Sequence, residues 1–566
     1  MSLGRRPPGN APQSQDSAQE PARPPHVDER LERHAREFYE AFPLGGALAS
    51  AIVRSGWVLT FLQPLEGFAR TAGSLRLDGP SGRAWVVRSR PPREIADSFD
   101  LQVEVLFLVS DFDDLQARTV ELVRKVIEAD PRVSRDVAFL VTGDEGADDK
   151  IGQIPRSDGV VPLTWGWVRS AAGGGQGHKP LRSRLERFLY ARDLFDIQIP
   201  VVGKRFFGRQ HSLQFLKRQA LLDQPVGLFG LRKIGKTSLI KAFVEDSYHW
   251  KQGEPLLLAT HVDLQAVPIG RRDWGYVLWD IGRGTAQAWG RHPAGGGLPF
   301  RPQVLGDAAP PPPDVDVSLA FDQDLRWLLD AARRVAGDAH LVIVFDEIER
   351  LVPPNAAERG ITGGTELLRY LRGLNQQGSN ISVVLAGANP YFAERSEIGG
   401  QENPLLNFVL KRYLAPFDDD EVRFMIQRIG GAMGVHFHQE AASAIVQHGG
   451  GHPFLTRQLC SVTIKQLRPA RPLTVTKADV ERALGAYSTS QHHTFAQMME
   501  SLADYPDELF LLGQLAVGDH GFVAEWAASD PVGLEHLKGY GLIEPTRGGW
   551  DFTIPLLREY LMKAMP

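Results

Sequence analysis

The chain has 566 residues, 43% hydrophobic and 23% charged, with a formal net charge of −5. Its length points to three or four ordinary domains, and its composition is that of a globular protein with aromatic residues enough for several cores. So small a charge provides no global positive field for nucleic acid, and the single cysteine, Cys460, excludes an intramolecular disulfide or a cysteine-rich metal site. A reducing, cytoplasmic location fits that cysteine usage.

Residues 1–27 are rich in Pro, Gln, Ser and Arg and lack hydrophobic periodicity, so a disordered tail without a secretory signal is expected. Residues 28–190 then read as an α/β domain of unassigned role. Its elements are a helix over Glu29 to Phe42, β-rich runs at Trp57 to Leu62 and Ala84 to Val87, and a strand–helix–strand unit. In that unit Val103 to Val109 and Val137 to Thr142 are the strands, and Leu115 to Ala129 carries apolar residues at helical spacing. The apolar stretch Leu44 to Leu62 contains Arg54 and is flanked by Pro43 and Pro64, so it reads as a helix and a buried strand rather than a membrane span. Asp111, Asp113 and Asp114 follow a strand end, either as charged turn residues or as metal ligands. Glycines from Gly173 to Gly177 mark a break before a helix over Leu181 to Tyr190.

From 191 to 415 strands alternate with helices, the pattern of a parallel sheet covered on both faces. The strands are Val226 to Phe229, Leu256 to Asp263, Leu341 to Phe345 and Ile381 to Ala386. Ala294 to Val317, with four successive prolines at 310–313, reads as an insertion. After about Leu414 the pattern turns helical, with His492 and His493 in a polar linker, and mixed short elements close the chain.

The first of these strands runs into Gly230-Leu231-Arg232-Lys233-Ile234-Gly235-Lys236-Thr237, which fits the phosphate-loop pattern G-x-x-x-x-G-K-[ST], and an amphipathic run from Ser238 follows. The glycines let successive N–H groups point at phosphate oxygens, and the following helix adds the positive end of its dipole. Lys236 places a charge between the β- and γ-phosphates, and Thr237 offers its hydroxyl to Mg²⁺. Such a loop needs a carboxylate on a neighbouring strand. Asp346, ending Leu341-Val-Ile-Val-Phe345, is the candidate for the metal, and Glu347 for the general base that polarises the attacking water. Asn389, after Ile381 to Ala386, is a candidate for reaching the γ-phosphate, or else an ordinary turn residue before Pro390.

Phe206-Phe-Gly-Arg209, the phosphate loop, Val344-Phe-Asp-Glu347 and Gly450-Gly-His-Pro-Phe-Leu455, in this order, resemble the ATPase module of STAND proteins. These are signal-transduction ATPases with numerous domains, relatives of AAA+ and archaeal-type ATPases. The resemblance covers roughly Asp193 to the C-terminus. It implies a P-loop NTPase core over 191–415, a helical lid over 416–490 and a winged-helix domain over 500–566, preceded by the separate N-terminal domain. It also implies that Phe207, Gly208 and Arg209 line the nucleotide pocket from the linker, and that His452 and Pro453 approach from the lid, where a helix-breaking turn is the alternative. Arg412 occupies the place of an arginine that senses the γ-phosphate in cis or across a subunit boundary; Lys411 and Arg423 are rivals, and a solvated surface charge is the bland alternative.

The function so implied is a Mg²⁺-dependent switch that binds ATP and ADP, hydrolyses slowly, and couples to conformational change or self-association under an unknown protein or ligand trigger, as in signalling or defence. Two alternatives stand beside it. One is a DNA-handling ATPase docking its winged helix on duplex, against which Asp530 to Tyr540 offers only Lys538. The other is an ATPase controlling a nuclease-like N-terminal effector, though no lysine follows the aspartates at the spacing a restriction-type nuclease needs.

Overall fold

The computed structural model describes residues 29–65, 84–99, 101, 103–173, 180–190, 192–268, 273–295, 310, 316–351, 360–388, 390–398, 400–468 and 470–564. The tail 1–27, most of the Ala294 to Val317 insertion, and Asn389 lie outside them. The chain divides into two compact units, Met1–Leu189 and Tyr190–Pro566.

The first unit is built on five strands, β1 (Val58–Pro64), β2 (Ala84–Arg90), β3 (Glu104–Ser110), β4 (Val133–Thr142) and β5 (Val160–Thr164), hydrogen-bonded in that order. β1, β2 and β3 run antiparallel, whereas β3, β4 and β5 are parallel. Alternate residues of β3 and β4 serve opposite faces. Leu106, Leu108, Ala138 and Leu140 pack with Val120, Val123 and Ile127 of the helix Ala117–Ala129. On the other face the rings of Phe107 and Phe139 stack at 4.4 Å, with Trp57 edge-on to both. Asp114 pairs with Lys150 at 3.0 Å, and Lys150 also reaches the buried Asp144 at 2.7 Å. Among the described residues no group of three His, Cys, Asp or Glu is placed to hold a metal ion.

The second unit holds a five-stranded parallel sheet of β6 (Val226–Phe229), β7 (Leu256–Asp263), β8 (Ala339–Asp346), β9 (Ile381–Gly387) and, after a two-residue ladder of β10 (Glu397–Ile398) with β11 (Gln401–Glu402), β12 (Leu410–Tyr413). The order across it is β12-β6-β9-β8-β7. This departs from expectation in two ways. Asp346 is not on the strand beside the loop, because β9 lies between β6 and β8. A fifth strand, β12, pairs with β6 although its residues, Leu-Lys-Arg-Tyr, are mostly exposed and show no buried run. An edge strand with polar side chains leaves no hydrophobic signature.

Both faces of the sheet are covered, which is why its inner strands read as continuous apolar runs. Leu341, Ile343 and Phe345 of β8 point into a core with the helices Trp274–Arg291, Val317–Ala336 and Gly364–Gln376. Val342 and Val344 face the opposite core with the helices Gln210–Leu221 and Lys236–Ser247.

Beyond the sheet come the helices Asp419–Gly431, Gln439–Gly449, Pro453–Lys465 and Lys477–Glu500, with β13 (Val435–Phe437) parallel to β14 (Leu473–Val475). The first begins at a capping box, Asp418 accepting from the Glu421 N–H while Glu421 accepts from that of Asp418. His492 and His493 are not in a linker. They lie inside Lys477–Glu500, where Ser, Thr, Gln and His are polar but no proline or cluster of glycines stops the helix, and His492 meets Tyr560 edge-on at 4.8 Å. The chain ends in the helices Pro506–Val517, His520–Ser529 and Pro531–Gly539, an antiparallel hairpin of β15 (Ile543–Thr546) and β16 (Gly549–Phe552), and the helix Pro555–Ala564. One apolar cluster runs from Met425 and Leu459 to Leu512, Leu537 and Leu557, so the four helices between 419 and 500 (the lid helices, a label of position only) and the C-terminal helices share a core. Cys460 lies fully buried within it.

The chain passes from the sheet to this second body at 414–418, where Phe417 N–H donates to Gly451 O at 2.8 Å. Gly451 has φ +68, and a Cβ there would sit 2.2 Å from Phe417 O. Gly451→Ala is therefore expected to cost about 1–3 kcal/mol, read as a lower urea midpoint at unchanged slope.

Candidate functional site

β6 delivers the chain into the loop 230–235, where Lys233 (φ 64) and Gly235 (φ 103) take left-handed conformations. Gly235 stands at the N-cap of the helix Lys236–Ser247 with no side chain bonded across it. The first N–H groups of that helix are thus left for an anion, at the positive end of its dipole. Leu231 and Ile234 are anchors: Leu231 packs into the lid core and Ile234 into the sheet core beneath.

The Lys236 ammonium is buried and donates to Gly230 O at 2.7 Å and Leu231 O at 3.1 Å. Burial lowers its pKa, opposed by the carboxylates of Glu349, Glu347 and Asp346. Thr237 Oγ1 donates to Asp346 Oδ2 at 2.7 Å, and Asp346 Oδ1 accepts from the Glu347 N–H at 3.1 Å. A hydroxyl and a carboxylate brought together at the head of the helix are hard oxygen donors, a set that suits Mg²⁺ completed by water and phosphate oxygens. His261, on β7, brings Nε2 to 3.9 Å from Asp346 Oδ2. Glu347 has φ 58, a left-handed conformation that costs a non-glycine residue about 1–3 kcal/mol. It is held by the turn Ile348–Arg350 that starts there.

These residues border a cavity of about 470 Å³. Its floor is Arg232 to Ser238 with Glu347 and Ala388, and Ile197 to Val201, Phe207 and Arg209 form one wall. Met425, Pro453, Phe454, Arg457 and Gln497 close it from the lid. Val201 N–H donates to Ser238 Oγ at 3.0 Å, tying the linker to the helix, and the Lys233 ammonium lies 4.0 Å over the Phe454 ring. A space of this volume, part apolar and part charged, is within the range of sites for small organic ligands.

Arg209 joins three segments. Its guanidinium donates to Ile234 O at 3.1 Å and to Ala415 O, and lies 4.5 Å over the Phe417 ring. Its N–H donates to Glu421 Oε1 at 3.1 Å, binding it to the lid capping box. Burial lowers its pKa to about 10, which leaves it charged. Gly208 does not border the cavity but permits this contact: it has φ +61, and a Cβ would stand 2.7 Å from Glu421 Oε1.

His452 is fully buried behind the loop rather than lining the cavity. Its Nδ1 caps the helix Pro453–Lys465 by accepting from the Leu455 N–H at 3.4 Å, so the neutral ring carries its hydrogen on Nε2, 3.3 Å from Arg232 O. Burial pushes its pKa down to about 3. The histidine is a neutral strut between loop and lid, and Pro453 fills the first helical position, where its missing N–H costs nothing.

Arg412 is not brought to the cavity. It lies exposed on β12 with its guanidinium 5.2 Å over the Phe215 ring. Rivals Lys411 and Arg423 are engaged elsewhere, with Glu394 at 2.7 Å and Ser443 at 3.0 Å. Glu349 escaped the sequence reading. One carboxyl oxygen accepts from the Ala388 N–H at the end of β9, and burial raises its pKa. The pattern Asp-Glu-Ile-Glu contained it, but an acid three residues past a strand end usually signals only a solvated turn. Ile197 to Val201 was missed because it belongs to no helix or strand.

No protein-family model matches the chain, and no curated protein does. Among solved structures it is similar to a Walker-type ATPase of Pyrococcus abyssi, at 18% identity and a TM-score of 0.44, over 65% of this chain and 99% of that one. A single-substitution variant of RuvB from Thermotoga maritima aligns at 16% identity and a TM-score of 0.29, over 64% and 97%. A Drosophila ORC structure bound to DNA aligns at 14% and 0.35, over 67% and 92%. Likenesses this loose leave the chemistry to be read from the residues themselves.

Arg209→Ala should lower stability by about 1.5–3 kcal/mol through lost charged hydrogen bonds, measured by denaturant unfolding. Arg209→Lys should not restore it, since an ammonium cannot reproduce the planar fork or its stacking on Phe417.

Proposed function

We propose that this chain is a Mg²⁺-dependent ATP-binding switch with slow ATPase activity, of the STAND-like kind that its motifs resemble. The observation that carries this reading is the joining of Thr237 to Asp346 at 2.7 Å beside Lys236, in a cavity closed by a second body. In this reading the loop N–H groups and Lys236 bind the phosphates, while the linker 197–201 and Phe207 receive the base. Thr237 and Asp346 hold Mg²⁺, which supplies charge neutralisation on the phosphates when bound. Glu347 accepts a proton from the attacking water. Asn389 and Arg412 are assigned the γ-phosphate, Arg412 only from across a subunit boundary, given where it lies.

The lid makes the site a sensor. Leu231, Arg209 and His452 all bind the phosphate loop to the second body, so a change of loop contacts between ATP and ADP alters what that body meets. Such a differential contact is what a ligand-driven switch requires. A winged-helix reading of the C-terminal segment is supported by its three helices followed by an antiparallel hairpin. On Pro531–Gly539 the ring of His536 is buried and the Lys538 ammonium lies 5.6 Å over the Trp550 ring, which favours a switch over a reader of duplex DNA.

Lys236→Ala should weaken ATP binding about 10- to 150-fold, the equivalent of 1.5–3 kcal/mol, by titration with a fluorescent analogue; unchanged affinity would sink the site. Glu347→Gln should keep ATP affinity and lose about 10²–10⁴ in turnover, followed as phosphate release. Full hydrolysis by that variant would remove Glu347 as the base.

A further inference from the structure

The sheet and the second body meet again, away from the cavity, at a buried charged cluster that the nucleotide chemistry does not use. Glu394 ends the short helix Tyr391–Glu394 that follows β9. Its Oε1 accepts from His536 Nε2 at 3.0 Å and from Lys411 Nζ at 2.7 Å. Its Oε2 accepts from the Tyr505 hydroxyl at 3.0 Å. On the far side of the ring, His536 Nδ1 meets Glu508 Oε1 at 2.6 Å. The side chains of His536 and Glu508 are 3% and 5% exposed, so the centre of the cluster is withdrawn from water, with the half-buried Glu394 and the exposed Lys411 at its edge.

A neutral imidazole has one N–H, whereas two carboxylates flank this ring, one at each nitrogen. Only the protonated ring donates to both. Burial works against the imidazolium, but the carboxylates outweigh it and hold the pKa up at about 9, while the partners of Glu394 hold that acid down at about 2. Burial raises the pKa of Glu508, and the hydrogen bond and charge of His536 work against that rise and favour the ionised acid; with Lys411 included, two positive charges then face two negative ones.

The elements are those that must part if the bodies separate. Glu394 and Lys411 belong to the sheet body; Glu508 and His536 belong to the C-terminal helices, which share their core with the lid. Tyr413 of β12 packs edge-on to Tyr540 at 5.4 Å, and a Cβ on Gly539 would stand 2.6 Å from the Tyr413 ring. The fit is close, and Glu394 and both ring nitrogens of His536 are hydrogen-bonded, while Glu508 Oε2 and the hydroxyls of Tyr413 and Tyr540 are buried there without a hydrogen-bond partner among the described residues.

We propose that His536, clamped between Glu394 and Glu508, is an ionic latch that holds the C-terminal helices closed on the edge of the parallel sheet, and that its opening is the step by which the switch reaches its other state. This rests on the switch reading above for its second half. The latch itself rests on the cluster alone.

The sign of its pH dependence follows from the groups that face the ring. A histidine whose folded pKa is raised contributes fully below its ordinary value near 6.5, and the contribution is lost as pH rises through about 9. Above that, Glu508 and Glu394 face each other with Lys411 as the counter-charge bonded to the pair among the described residues, and burial keeps the hydroxyls of Tyr413, Tyr505 and Tyr540 neutral. Asp530 adds negative charge near Glu508, and Glu535 adds it near Tyr413, which deepens the repulsion.

The test uses the full chain as wild type, His536→Gln and Glu394→Gln, with amide hydrogen exchange at pH 7 read over 506–541. Exchange is expected to rise roughly ten-fold or more in both variants, and fluorescent ADP is expected to leave faster by a similar factor. In a second measurement, thermal midpoints from pH 6.5 to 9.5 should fall more steeply for the wild type than for His536→Gln. Should His536→Gln fail to fold, Glu394→Gln serves as the comparison in both measurements. Unchanged exchange in the folded variants, or parallel pH profiles, overturns the latch. A latch that opens as described in a chain that binds no ATP keeps the latch and overturns the nucleotide reading, whereas faster opening with unaltered ADP release removes its place in the switch.

Discussion

The ammonium of Lys236 lies where a positive charge is disfavoured, and much of the second unit is arranged to keep it there. A buried charge is tolerated when it is hydrogen-bonded and countered. Gly230 and Leu231 supply carbonyls directly beneath it, and three acids from one stretch, Asp346, Glu347 and Glu349, supply the opposing charge. Those acids reach it only because β8 stops in register with β7 at Asp346 and the chain then turns sharply through a left-handed Glu347. The interval between strands is bridged by Thr237, which spans from its helix to Asp346 past β9. Site and sheet order are thus one requirement, since shifting β8 by one residue would turn Asp346 from the loop and its apolar neighbours to the wrong faces.

The legible parts of the sequence were those where one residue type has one physical use. Glycine and lysine at fixed spacing after an apolar run predict a strand, a tight loop and a helix start, which β6, the left-handed Lys233 and Gly235, and Lys236–Ser247 form, and a continuous apolar run before Asp346-Glu347 predicts a buried strand that stops at the acids, as β8 does. What escaped was set by tertiary context. β12 is exposed and polar, so only its pairing with β6 makes it a strand. The position of β9 between β6 and β8 is a topological fact that no local pattern encodes. The family resemblance puts Arg412 near the γ-phosphate, yet the edge strand carries it out to Phe215. Glu349 and His536 look like ordinary surface residues in sequence, because charge pairing across 142 positions, as between Glu394 and His536, has no local trace.

The second body meets the sheet through a few polar struts rather than through a merged core. Lid and C-terminal helices share one apolar cluster, which Leu231 and Tyr413 touch from the sheet side, while the sheet has two cores of its own. Between the bodies stand Arg209, His452 and His536, each ordered by hydrogen bonds of defined direction. Apolar contact is forgiving of small sliding, whereas a guanidinium fork or a twice-bonded imidazole has one good geometry. Bodies joined in this way favour discrete arrangements over continuous drift.

Cys460 gives this architecture a chemical handle. It is the chain's sole thiol, it is fully buried in the core shared by lid and C-terminal helices, and burial pushes its pKa up. A thiol so placed is unreactive until the core around it opens. Every alkylating reagent that enters the chain at cysteine therefore reports the breathing of that one core. The protein carries a single-site clock for the loosening of its lid, with no engineered label and no competing signal from elsewhere in its sequence.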